Sequence, residues 1–150
     1  MIDLAHIHPM LVHFPLALLP LSVAALLVAQ VRDGTPFGRS CWARSGTSLL
    51  VLAALGALAA AVFGDMALDI AVEHGTPLAR LENHEDLGMI SAGVMAALAA
   101  VQLWFFARQG QSRTLGWLLI LAGIAVLATT LTTAWFGGNL VYQLGVNVGT

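Results

Sequence analysis

The chain has 150 residues, of which 59% are hydrophobic and 9% charged, against about 45–50% and about 25% in an ordinary soluble domain. Six basic and eight acidic residues cannot coat a domain of this size in solvated charge, which argues against a soluble monomer and makes a membrane protein the expected class. The basic residues are all arginine and form no stripe to match a phosphate backbone, so nucleic-acid binding is excluded. The single cysteine, Cys41, excludes an internal disulfide framework and a Cys-rich zinc or iron–sulfur site.

A hydrocarbon core about 30 Å thick is crossed by about 20 apolar residues in helix. Four stretches meet that length, at about 9–31, 48–70, 87–107 and 115–136. The predicted architecture is all-α, a single-domain integral membrane four-helix bundle. The first stretch has no basic region before it and is too long and proline-interrupted for a cleaved signal, so it is expected to remain as a span. It contains Pro9, Pro15 and Pro20; Pro9 suits a first helical position, and a proline further in bends the axis and can open a pocket beside His13. Small residues such as Ala53-Ala54-Leu55-Gly56-Ala57 in the second span and Ser91-Ala92-Gly93 in the third predict close helix packing in lipid. Asn83 is the expected N-cap of the third helix, with Glu85 and Asp86 in its first turn. Gly137 and Gly138 are expected to end the fourth. The apolar, glycine-rich tail after them would then fold back as a lid over the histidines, with the Tyr142 hydroxyl offered to a cofactor or a quinone head.

Arginine placement predicts the orientation. Arg32, Arg39 and Arg44 flank one loop and Arg108 and Arg113 another, whereas the remaining loop holds Arg80 among Glu73, Glu82, Glu85 and Asp86. The positive-inside rule puts the first two loops in the cytoplasm and both termini outside. Trp42 and Trp117 at one interface and Trp135 and Tyr142 at the other read as aromatic belts.

Ionisable groups inside spans are candidate functional residues. His13 and Asp65 each lie about one turn inside the outer end of their spans, with Asp69 one turn beyond Asp65 and His84 opening the third span. All five histidines, His6, His8, His13, His74 and His84, fall on the outer half, and the cytoplasmic half is expected to hold no comparable polar cluster. Of these, His6 and His74 read as solvated loop residues. Two neutral imidazoles on facing helices of a bundle can hold haem iron axially. The predicted ligands are His13 and His84, with His8 as substitute, Asp65 orienting His13, and Tyr142 alongside. Asp65, Asp69 and Glu73 could alternatively form a carboxylate metal site, although no His-Glu-x-x-His spacing accompanies them. No hydrolase motif or nucleotide-binding fingerprint is present.

The run His8-Pro9-Met10-Leu11-Val12-His13-Phe14-Pro15, the pair Gly64-Asp65, His84 with Gly88, and Gly137-Gly138-Asn139-Leu140-Val141-Tyr142 followed by Gly145-Val146 resemble a bacterial membrane family catalogued as domain of unknown function 2231. The resemblance covers essentially the whole chain. It implies a four-helix module of the inner membrane, and because some relatives are joined to Rieske-type iron–sulfur domains, it also implies a redox role in quinol chemistry and a b-type haem.

The expected function is therefore a small b-type cytochrome with haem near the outer face, passing electrons between membrane quinol and an outer-side redox partner. That partner, an iron–sulfur protein or a cytochrome, would be a separate protein, and small-residue faces invite a homodimer. The alternatives are a haem-free metal-binding or proton-relay component of transport or sensing, and a structural membrane subunit.

Overall fold

The computed structural model describes residues 4–143 together with 145 and 146, with side chains described from Ile7 onward. Its chain order is α1 (Leu4–Asp33), α2 (Cys41–Glu73), a 3₁₀ turn (Leu78–Arg80), α3 (Glu82–Ala107) and α4 (Arg113–Tyr142). All four long helices have the length and apolar composition to cross a membrane. Neighbours in sequence pack against one another, α1 against α2 most extensively, and α4 closes back on α1, so α1 and α3 stand diagonally opposite. The 33 residues of α2 span about 50 Å at about 1.5 Å per residue, more than the hydrocarbon thickness.

The helices are longer than the predicted spans because their polar ends continue helically beyond the apolar stretch. Three expected boundaries are corrected. α1 begins before Pro9, so all three prolines lie inside it. α3 begins at Glu82 with Leu81 before it and no side-chain cap, which puts Asn83 inside the helix. α4 runs through Gly137 and Gly138 to Tyr142, so the expected fold-back cannot start there. Residues 144 and 147–150 of the expected lid, and the side chain of His6, lie outside the described part.

Where local chemistry is strong, the boundaries follow it. Ser40 and Ser112 accept from the backbone N–H groups of Ala43 and Leu115, both at 3.2 Å, and start α2 and α4. At the end of α2, Gly75 takes φ +93°, while Thr76 N–H reaches Ala71 O at 3.0 Å and Gly75 N–H reaches Val72 O at 2.9 Å. This is a Schellman stop.

The core is narrow and built on one seam. Gly46, Leu50, Ala53, Ala57, Ala60, Ala67 and Ala71 of α2 are all buried and recur every three or four residues, apart from one step of seven from Ala60 to Ala67 that passes the half-buried Gly64, the spacing that keeps one side of a helix against its neighbours. Leu19 and Met95 are fully buried within the bundle. A Cβ on Gly46 would lie 3.0 Å from the backbone nitrogen of Leu26, a measure of how closely α1 and α2 approach. Large apolar side chains such as Leu55, Met10 and Leu121 are about 60% exposed; on a membrane bundle that exposure is lipid contact.

The arginine-bearing end is stoppered. The α1–α2 loop turns inward, so that Pro36 and Phe37 are fully buried and the Phe37 ring lies 5.4 Å from that of Phe105. Gln102 donates to Pro36 O at 2.9 Å and to Thr47 Oγ1 at 3.0 Å, and Gln30 donates to Arg113 O at 3.1 Å. Thr35 donates to Gly110 O at 3.1 Å, and Ser22 donates to Gly46 O at 2.8 Å. The polar side chains that make these bonds are uncharged amides and hydroxyls that tie helices to one another and to the loop, with no histidine among them.

Candidate two-histidine centre

At the opposite end, where α1 and α3 begin and α2 and α4 finish, His8 on α1 and His84 on α3 meet across the bundle. Their ring centres are 6.0 Å apart and their planes nearly perpendicular, at 83°. Each ring is anchored through Nδ1, that of His8 lying 2.7 Å from Ala60 O on α2 and that of His84 lying 3.1 Å from Thr133 O on α4. A carbonyl only accepts, so in the neutral imidazole Nδ1 carries the proton and Nε2 presents its lone pair. Neither Nε2 has a hydrogen-bond partner among the described residues.

Glycines on the other two helices make room for the rings. A Cβ on Gly64 of α2 would lie 2.9 Å from His8 Nδ1, and one on Gly137 of α4 would lie 2.8 Å from His84 Cε1. Any side chain at either position would press on an imidazole. The site is therefore a cradle of two diagonal histidines against two glycine-faced helices.

The remaining candidates are placed elsewhere. His13 is exposed, and its Nδ1 lies 2.7 Å from Pro9 O of its own helix. Pro9 O, rather than Asp65, orients that ring. Asp65 and Asp69 are exposed, and Asp65 bonds to no histidine among the described residues. Tyr142 is 90% exposed, away from the histidine pair. His74 caps α2 through its backbone and is exposed. The structure thus brings together His8 and His84 and leaves His13, Asp65 and Tyr142 outside the cradle. Gly64 and Gly137, which stand against the two rings, carried no site role in the residue-by-residue reading, although both stand in the motifs quoted for the resemblance.

The family described as Predicted membrane protein (DUF2231) matches residues 5–150. The chain belongs to this family. No curated protein and no solved structure matches the chain. The match takes in every element that builds the cradle, from the DUF2231 helix that carries His8 to the one that carries Gly137.

Two imidazoles sharing one metal through Nε2, with bonds of about 2.0–2.1 Å, hold their ring centres about 5–6.5 Å apart. The observed 6.0 Å falls in that range. Nδ1 bonds to backbone carbonyls are the support that metal-ligating histidines ordinarily have. Among the described residues no group of three or more His, Cys, Asp or Glu side chains is arranged to hold a bare metal ion. Two imidazole donors suit a metal whose other ligands come from a cofactor, as those of a porphyrin do.

Proposed function

We propose that this DUF2231 protein is a small b-type membrane cytochrome, in which His8 and His84 would hold one haem. The observation that carries the reading is the diagonal His8–His84 pair, each ring anchored at Nδ1, free at Nε2 and set against a glycine. The residues fit the group: two neutral nitrogen donors, orienting carbonyls, and helix faces without side chains beside the rings. Bound there, haem supplies one-electron chemistry, while the chain holds both imidazoles in one tautomer and walls them with apolar helix. The protein would carry electrons between membrane quinol and a separate redox partner, with the histidine end outside as the arginine pattern directs.

The test is a reduced-minus-oxidised absorption spectrum of the detergent-purified protein from cells supplied with a haem precursor, with metal analysis of the same sample. Sharp alpha and beta bands are expected in the wild type and in His13→Ala, and none in His8→Ala or His84→Ala. A colourless wild type overturns the reading. Bands that survive loss of His8 or His84, or vanish with His13, overturn the ligand assignment.

A further inference from the structure

A second feature of the histidine end is an open pocket of about 330 Å³ between the start of α3 and the end of α4, with His84 in its wall. Its volume is within the range of small-molecule sites. One part of its lining is a set of hydrogen-bond donors, Arg80, Asn83, Asn139 and Gln143. None of these four side chains has a hydrogen bond or ion pair with a described residue. Another part is aromatic: Trp135 and Phe136 line the pocket, with ring centres 5.1 Å apart. Among the described residues no carboxylate lines it. The pocket thus offers several donors and a flat apolar wall, which suits a planar ring bearing acceptor oxygens.

Charge then decides between a neutral acceptor and an anion. Among the described residues the same end of the bundle carries Asp65, Asp69, Glu73, Glu82, Glu85 and Asp86, six carboxylates against the one arginine, Arg80. Several of them stand within a turn or two of the pocket along α3, a distance comparable to the screening length of about 8 Å in physiological salt. An anionic head group would approach against that field, whereas a neutral ring with carbonyl oxygens meets the donors and pays no such repulsion. The aromatic wall stands at the end of a membrane-spanning helix, so the ligand must also reach it from lipid. A neutral, planar, acceptor-bearing and lipid-soluble molecule is a quinone.

We infer that the pocket of Arg80, Asn83, Asn139 and Gln143 binds the head group of a membrane quinone, its ring against Trp135 and Phe136. The assignment rests on the proposed cytochrome reading only for its purpose, since it puts the quinone in contact with the imidazole of His84. Binding itself needs no haem.

The experiment uses the full-length protein in neutral-lipid nanodiscs, with Trp135 kept and Trp42, Trp104 and Trp117 replaced by Phe, titrated with decyl-ubiquinone. Saturable quenching of Trp135 is expected. Arg80→Gln and Asn139→Leu, each checked for helicity and a single size-exclusion peak, should weaken it at least tenfold. A matching protein that keeps only Trp104, at the far end of α3, should show only the linear quenching of quinone dissolved in lipid. The titration is repeated on the same protein from cells grown without the haem precursor, where the affinity should be unchanged. Failure of the cytochrome reading would therefore appear in the absorption spectrum and leave the quenching intact. Quenching that stays linear at Trp135, or that ignores both pocket substitutions, overturns the quinone site. Displacement of the quinone by dodecyl phosphate at lower concentration would overturn it in favour of an anionic head group.

Discussion

Gly64 and Gly137 are separated from the imidazoles by less than a methyl group needs, so alanine at either position must push a ring off its carbonyl. Gly137→Ala should break the His84–Thr133 hydrogen bond, destabilising the fold by about 1 kcal/mol while abolishing the haem bands. Gly64→Ala should do the same through His8 and Ala60. Gly138, one residue along, faces open space, and because it sits inside a helix, Gly138→Ala should stabilise by roughly 0.5–1 kcal/mol and leave the spectrum unchanged. Spectra and unfolding midpoints measured on the same preparations would separate the two kinds of position. The histidine pairing itself was only half legible in the sequence. His84 was readable as the polar start of a span, but the choice between His8 and His13 depends on which side of α1 faces the bundle. In lipid both sides of a helix are apolar, so the contrast that marks the buried face of a soluble helix is missing. His8 and His13, five residues apart at about 100° each, point to different sides, and only the packed α2 and α3 distinguish them.

At the scale of elements, what was legible was length and composition, and what was not was partnership. Four spans could be counted from apolar runs, whereas the helix starts at Ser40 and Ser112 emerged only from the structure. The stopper at the arginine end could have been suspected from Gln30 and Gln102, single amides near the ends of otherwise apolar helices, since a polar side chain there seeks a partner on another element. Attention to ionisable residues alone passed them over. Gln102→Leu removes the donor to Pro36 O and to Thr47 and leaves a buried carbonyl unpaired, so it should destabilise by about 1–3 kcal/mol. Gly46→Ala acts on the α1–α2 seam instead. Its Cβ would meet the Leu26 backbone, which cannot rotate aside as a side chain can, and the expected loss is about 1–3 kcal/mol. Gly93→Ala, open on all sides, is the control. Denaturant titrations in mixed micelles, followed by circular dichroism, would measure all three, and a Gly46→Ala midpoint equal to that of Gly93→Ala would refute the close seam.

For the whole molecule, orientation is the property that sequence addresses most directly through the distribution of arginine. Cys41 is the chain's one cysteine, and it is exposed at the start of α2, on the arginine-bearing end. It reports topology without any engineering. With the orientation the arginines predict, a membrane-impermeant maleimide should label it in inverted membrane vesicles and leave it untouched in intact cells; the reverse pattern would turn the histidine end to the cytoplasm.

The inward-folded loop of Pro36 and Phe37 gives the bundle a blind end. Beneath it, Leu19, Leu50 and Met95 fill the interior, and the small cleft lined by Ser22 and Gln102 is about 10 Å³, room for about one water molecule. A bundle so filled holds no water path along its length among the described residues. On the proposed reading, the electrons given up by quinol and the protons released with them are exchanged at the histidine end alone. Since moving a unit charge across the membrane is worth about 2.3 kcal/mol per 100 mV and none would be moved on that reading, its chemistry should run at the same rate in energised and in de-energised vesicles.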